Sequence, residues 1–277
     1  MIRQARSFHT KRRLGQNFLV DVEALGFIAD QLDAKAGDKV LEIGPGLGFL
    51  TQFLSETGAN ITAVELDREC VEDLNNARMK NLNITHGDFL AFDIGTIGDG
   101  VKIIGNVPYQ ITTPIIAHIF GEIGEPSPWL KKVERVVLTV QYEVAQRFVA
   151  APNTEHFSQI TLLVNYFSRA RMLKKLPTDA FYPAPKVSSA VVEFVPLEKP
   201  PVQPKSTKML RQLIKAGFGQ RRKMLKNNLS FLKATPEELS NAFAIARINE
   251  QARAEMLGLQ KLSDLADALL EIDKREA

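Results

Sequence analysis

From Val22 to Leu32 the apolar residues Val22, Leu25, Ile28, Ala29 and Leu32 return every three or four positions, which predicts an amphipathic helix. The period then changes. Lys39-Val40-Leu41-Glu42-Ile43 reads as a short buried strand, Gly44-Pro45-Gly46-Leu47-Gly48 as a tight loop, and Phe49 to Ser55 as a helix. Ile61 to Glu65 is a second strand, with a helix from about Arg68 to Ala77. The alternation goes on through Leu82 to Thr85, Val101 to Ile104, a helix near Thr113 to Phe120, and Val133 to Val140. Strands alternating with helices predict an α/β fold, with a parallel sheet covered on both faces.

The pattern changes after about residue 150. Ser158 to Tyr166 is a further helix, and Arg169 to Leu176 with Ala190 to Val195 predict an antiparallel pair around the Pro-rich loop Phe181-Tyr182-Pro183-Ala184-Pro185. Pro196 to Pro204 holds four prolines and reads as a linker. Beyond it only helical periods appear, in Met209 to Phe218, Arg222 to Leu232, Glu237 to Ala244 and Leu262 to Leu270. Three segments result: a basic N-terminal arm over 1–20, an α/β domain over 21–198 and a small all-helical domain over 205–277.

At 277 residues and 45% hydrophobic content the chain can form a substantial core. Cys70 is the sole cysteine, so no disulfide can form within the chain, and no His/Cys cluster has metal-ligand spacing. Metal-free chemistry in a reducing compartment is expected. No apolar run approaches the roughly 18 to 20 residues that cross a bilayer, and no apolar segment of a secretion signal follows the first methionine. A soluble cytoplasmic protein is expected.

Formal net charge is only +3, but it is unevenly placed. Arg3, Arg6, Lys11, Arg12 and Arg13 precede the first acid, Asp21, and eight basic residues with no acid lie between Lys205 and Lys226, among them Arg221, Arg222 and Lys223. Two such patches suit a polyphosphate partner. The first also fits an organelle transit peptide, although Gly15-Gln16-Asn17-Phe18 follows at once and reads as structural. A charged helix face can equally be a solvated surface.

Candidate chemistry gathers at the carboxyl ends of the predicted strands, where open α/β sheets place their ligands. After the first, glycines at 44, 46 and 48 let backbone amides and a helix N-terminus come close to a ligand. Their spacing departs from the G-x-G-x-x-G of dinucleotide binders and suits an amino-acid-bearing nucleoside. Glu65 ends the second strand, where an acid can take both hydroxyls of a ribose. Asp88, after the third, can accept a bond from an adenine amine. After the fourth, Asn106-Val107-Pro108-Tyr109 offers two acceptors and a flat aromatic face, which suits the exocyclic amine of a planar base.

Together, Gly15 to Leu19, the glycine loop, Glu65, Gly87-Asp88, Asn106 to Tyr109, Gln141-Tyr142-Glu143-Val144-Ala145 and Phe181 to Ser189 resemble the ribosomal RNA adenine N6-dimethyltransferases, in the expected order and over roughly Arg12 to Leu270. Phe218 to Lys223 with Asn227-Asn228-Leu229 is similar to their small-subunit (16S) branch. Val107 is a conservative departure, where the family commonly has Leu or Ile.

The resemblance implies a Rossmann-like S-adenosylmethionine-dependent methyltransferase sheet, with Asn17, Leu19, Gly44, Gly46, Glu65, Asp88 and Asn106 holding the cofactor. It implies that Asn106 and Pro108 accept the two hydrogens of an adenine N6 amine while Tyr109 and Phe181 sandwich the base. Arg12, Arg13, Arg221, Arg222 and Lys223 would grip RNA. The product implied is N6,N6-dimethyladenosine at two adjacent positions near the 3′ end of small-subunit (16S) ribosomal RNA, made by a monomer acting on a pre-30S particle during ribosome biogenesis. Three other readings compete. A large-subunit (23S) enzyme conferring macrolide resistance usually has a shorter, less basic tail. A non-catalytic assembly or transcription factor would not need Asn106, Pro108, Tyr109 and Phe181, and a DNA adenine methyltransferase more often carries Asp at position 106.

Overall fold

The computed structural model describes residues 1–8 and 15–273. They divide into two compact units: Met1–Phe120 with Ser127–Ala145 and Arg169–Pro196, and Gly121–Pro126 with Gln146–Ser168 and Leu197–Ala277. The units are therefore not two consecutive stretches, since the predicted helix after residue 158 groups with the later helices.

The first unit opens with helix α1 (Ile2–Ser7), which buries Ala5, and a two-residue strand β1 (Phe18–Leu19). Helix α2 (Val22–Gln31) follows, its first turn capped by the Asp21 carboxylate accepting from the Ala24 N–H at 2.9 Å. The predicted alternation then appears as β2 (Lys39–Ile43), α3 (Phe49–Glu56), β3 (Asn60–Glu65), α4 (Arg68–Asn76), β4 (Leu82–His86), β5 (Val101–Asn106) and α5 (Thr112–Phe120). The second unit contributes a two-strand ribbon, β6 (Gly121–Glu122) and β7 (Glu125–Pro126). β8 (Val133–Gln141) runs straight into α6 (Tyr142–Phe148), and α7 (Gln159–Phe167) leads into β9 (Ser168–Leu176). The short β10 (Phe181–Tyr182) and β11 (Ser189–Pro196) complete the strands.

The main sheet has the order β4-β3-β2-β5-β8-β11-β9. Its first five strands are parallel, and β11 enters antiparallel to β8 with Ala190 opposite Val140. Val40, Leu41, Ile103, Ile104, Val136, Val137 and Leu138 are all buried, as expected of parallel strands covered on both faces. The predicted pairing of 169–176 with 190–195 holds as adjacency: β9 is the last strand, beside β11.

In the second unit α10 (Leu259–Asp273) packs on α7, α8 (Thr207–Gly219) and α9 (Pro236–Ile245). Met209, Leu210, Leu213 and Ile214 form the buried stripe of α8. Thr235 and Glu238 close a capping box with Pro236 at the first helical position, which fixes the start of α9. The helix predicted over 222–232 is absent. That stretch holds only a single 3₁₀ turn, Leu225–Asn228. Its backbone is drawn elsewhere: the Leu225 N–H donates to the Ala252 carbonyl at 2.8 Å, and Asn228 Nδ2 donates to the Gly217 and Gln220 carbonyls at 3.3 Å each, closing off the end of α8. No described helix is long and apolar enough to cross a membrane.

Candidate active site

The chain leaves β2, builds outward through β3 and β4, and then returns to lay β5 on the other side of β2. The strand order reverses there, the point at which open α/β sheets leave a crevice outside the carboxyl ends of their strands. One cavity occupies it. Asn17, Leu19, Gly44, Gly46, Glu65, Asp88 and Asn106, the residues expected to hold a cofactor, all line that cavity, as do Pro108 and Tyr109.

The glycine loop is shaped for close approach. Gly46 has φ +56°, and a Cβ there would stand 2.8 Å from Cε1 of Phe18. Its N–H donates to Glu65 Oε2 at 2.9 Å, while the Asp67 N–H donates to Oε1 at 2.7 Å. Each Glu65 oxygen thus has one backbone donor and keeps acceptor capacity toward the cavity. Burial pushes the Glu65 carboxyl above its ordinary range, and the two N–H bonds oppose the shift. Asp88 Oδ1 caps the turn that follows it, accepting from the Leu90 N–H at 2.9 Å.

Asn106 is the last residue of β5. Its Nδ2 donates to the Asn17 carbonyl at 2.9 Å, which fixes the orientation of the amide and leaves Oδ1 without a partner among the described residues. The N-terminal segment is itself anchored. β1 pairs with β10, Leu19 opposite Phe181, and the Val20 N–H donates to the Ala180 carbonyl at 2.9 Å. The Pro108 carbonyl accepts from the Ile111 N–H at 3.2 Å and retains a second lone pair. The Tyr109 hydroxyl and Ser189 Oγ lie 2.7 Å apart, which pins one end of the half-buried ring, and burial pushes the phenol pKa up.

Phe181 stands apart from the other predicted site residues. It is only 3% exposed, belongs to the core cluster with Leu19, Leu176 and Ala180, and does not line the cavity. Arg12 and Arg13 lie outside the described residues. Arg221 is engaged at home: its guanidinium bonds Glu255 and the Glu155 and Phe157 carbonyls, at 2.9 to 3.2 Å. Arg222 and Lys223 are exposed, with no ion pair among the described residues.

Sequence reasoning missed Glu42 and Ser189. Glu42 lines the cavity from inside β2, is 1% exposed, and leaves Oε2 with no hydrogen-bond partner. Burial pushes its carboxyl up to about 8, and the nearby Glu65 charge adds to this. The available signal was an acid inside an otherwise apolar strand. Ser189 gave no such signal, because its partner lies far away in sequence.

These residues suit a cationic, amino-acid-bearing nucleoside. An orphaned buried carboxyl awaits a positive group, Gly46 in the glycine loop has no room for a Cβ, and a strand-end acid has acceptors to spare.

The family model described as ribosomal RNA adenine dimethylase matches residues 7–270. The ribosomal RNA small subunit methyltransferase A of Clostridium acetobutylicum is 34% identical over 268 residues, covering 95% of each chain. The protein of the same description from Pseudoalteromonas translucida is 34% identical over 262 residues, covering 93% of each. Among solved structures, a dimethyladenosine transferase from Plasmodium falciparum has a TM-score of 0.71 at 22% identity, covering 94% of this chain and 98% of that one. The 23S rRNA methyltransferase ErmE has a TM-score of 0.70 at 21% identity, covering 91% and 99%. These two likenesses speak for the fold alone.

Proposed function

The chain belongs to the ribosomal RNA adenine dimethylase family, and on that premise we propose that it dimethylates N6 of two adjacent adenosines near the 3′ end of small-subunit (16S) ribosomal RNA. It is a methyltransferase whose methyl donor is S-adenosylmethionine. When bound, that donor supplies an electrophilic methyl group on a sulfonium centre. Gly44 and Gly46 would pass close to it, Glu65 would take the ribose hydroxyls and Asp88 the adenine amine. Asn17 and Leu19 would cover it from the N-terminal segment, and Glu42 is placed to meet its ammonium.

An adenine N6 amine is a weak nucleophile because its lone pair is delocalised into the ring. The chain answers with acceptors, since the carboxyls that line the cavity, Glu42, Glu65 and Asp88, are the ones given above to the methyl donor. Asn106 Oδ1, held free by the bond from Nδ2 to Asn17, and the remaining lone pair of the Pro108 carbonyl accept the two amine hydrogens. The nitrogen then moves toward sp³ and directs its lone pair outward. Preorganised dipoles stabilise the positive charge that develops on it. Tyr109, its ring fixed through Ser189, stacks on the extruded base, which is worth about 1 to 3 kcal/mol. Phe181, buried with Leu19 in the core cluster, supports the N-terminal segment rather than facing the base.

Arg12, Arg13, Arg222 and Lys223 would hold RNA phosphates, with Arg221 ordering the turn beside them. A structured RNA is gripped through phosphates and shape, and the substrate is taken to be a small-subunit particle met by a monomer in the cytoplasm.

The single observation that carries the reading is the fixed Asn106 amide with a free Oδ1 at the cavity wall. The test is methyl transfer from labelled S-adenosylmethionine to small subunits, large subunits and naked RNA that lack the modification, with the product nucleosides identified. N6,N6-dimethyladenosine on small subunits, abolished by Asn106→Ala, is expected. Label in large-subunit RNA would move the chain to the resistance-type branch, and cofactor binding without transfer to any RNA would overturn the enzymatic reading.

A further inference from the structure

Strand β9 closes one edge of the main sheet and carries Arg169, Arg171, Lys174 and Lys175 with no acid between Ser168 and Thr178. All four are exposed. Strand alternation puts Arg169, Arg171 and Lys175 on one side of β9, with about 20 Å from the first to the last, and turns Lys174 to the other. There Lys174 Nζ lies 5.0 Å from the Phe27 ring. Arg171 is not a free charge, yet its pairing leaves one over. Arg171 and Arg135 both bond Glu193, at 2.8 and 2.9 Å, so two guanidinium groups share a single carboxylate. Arg169 and Lys175 have no ion pair among the described residues.

Lys175 is also positioned. Its Nζ stands 4.2 Å from the centre of the Tyr142 ring, a cation–π contact that narrows where the ammonium can go without pairing it to an acid. Tyr142 is tied to the reaction site through one short strand: its N–H donates to the Ser188 carbonyl at 2.9 Å, and the next residue, Ser189, holds the Tyr109 hydroxyl. The ammonium is therefore linked, through Tyr142 and the Ser188–Ser189 step, to the aromatic that meets the base.

We propose that Lys175, held on Tyr142, is a phosphate anchor for the RNA strand that delivers the target adenosine, and that the Arg169–Lys175 edge of the catalytic unit is a phosphate-binding surface separate from the basic turn of the helical unit. This deepens the function proposed above and rests on it. Extruding a nucleotide requires that its neighbours be held while the base turns out, and a cation held on Tyr142, which is linked to the stacking residue through Ser188 and Ser189, supplies such a hold. Charges on an edge strand also discourage sheet-to-sheet pairing, but that duty does not require one of them to sit over a tyrosine linked to the catalytic loop.

The test measures the salt dependence of affinity for unmodified small subunits, the RNA KM and kcat of methyl transfer, and S-adenosylmethionine affinity, for wild type, Lys175→Met and Lys175→Arg. Methionine keeps packing on Tyr142 and removes the charge. The expected result for Lys175→Met is a higher RNA KM, a log–log salt slope shallower by about 0.7 to 0.9, the loss of one phosphate contact, and unchanged cofactor affinity, with arginine restoring slope and KM. A wild-type slope and KM in Lys175→Met would overturn the anchor, as would a defect arginine does not rescue. If wild-type enzyme neither binds nor methylates small subunits, the proposed function itself falls, which the wild-type arm reports separately.

Discussion

Replacing Glu42 by Gln should change how the stability of the catalytic unit depends on pH. The wild-type carboxyl is buried, with one oxygen unpartnered, and its pKa is pushed from 4.5, its ordinary value, up to about 8. Between those values the folded protein holds a proton that the unfolded chain has released. The group's contribution is therefore greatest below pH 4.5, falls as pH rises through the window, and ends as a penalty above 8. At about 1.4 kcal/mol for each pH unit, the window is worth on the order of 5 kcal/mol. Glutamine stays neutral throughout and should lack this slope. The assay is urea unfolding without cofactor from pH 5 to 9, followed by fluorescence of Trp129, the sole tryptophan, which lies in the same unit as Glu42 and donates to the His118 carbonyl at 2.9 Å. Wild type should lose several kcal/mol relative to Glu42→Gln over this range. Parallel pH profiles for the two proteins would refute the reasoning and show that water or rearrangement solvates the carboxylate.

Two further substitutions test the site and the basic turn. Gly46→Ala should lower S-adenosylmethionine affinity by tenfold or more by calorimetry, because the left-handed backbone at φ +56° costs roughly 1 to 2 kcal/mol with a Cβ and the new carbon meets Phe18 at 2.8 Å. Unchanged affinity would show that the loop relaxes freely. Charge reversal at Arg222 and Lys223 should weaken RNA binding without lowering the melting temperature. Arg221→Glu should lower melting by a few degrees, since it breaks bonds to Glu255, Glu155 and Phe157 worth roughly 1 to 2 kcal/mol together.

The parallel sheet was legible because Val40, Leu41, Ile103 and Ile104 form apolar runs of strand length, and the helices between them because Leu25, Ile28 and Leu32 repeat at their period. The cavity was legible because ligand residues end successive strands, a place that topology alone marks out. Contacts between distant segments were not. β1 and β10 are two residues each and carry no periodic signal, so neither their pairing nor the burial of Phe181 could be read. The sign of the Arg221 to Lys223 cluster is plain in sequence, but that Arg221 spends its charge on Glu255 depends on a loop more than thirty residues later. The helix expected over 222–232 failed for a related reason: an apolar period says nothing about Asn228 reaching back to the carbonyls of residues 217 and 220.

The pairing of Phe18–Leu19 with Phe181–Tyr182 bears on synthesis as well as on the finished protein. A wall of the cavity built by residues 15–19 is held by a strand that emerges only when about two thirds of the chain has been made, with most of the sheet in the loop between. Closing so long a loop is favourable only once the elements within it have folded. A nascent chain stopped short of residue 182 would therefore carry the glycine loop, Glu65 and Asn106 but leave the segment that covers them unmoored. Premature termination products of this enzyme should be poor competitors for methyl donor, and the order of translation itself delays a finished pocket until β10 has been made.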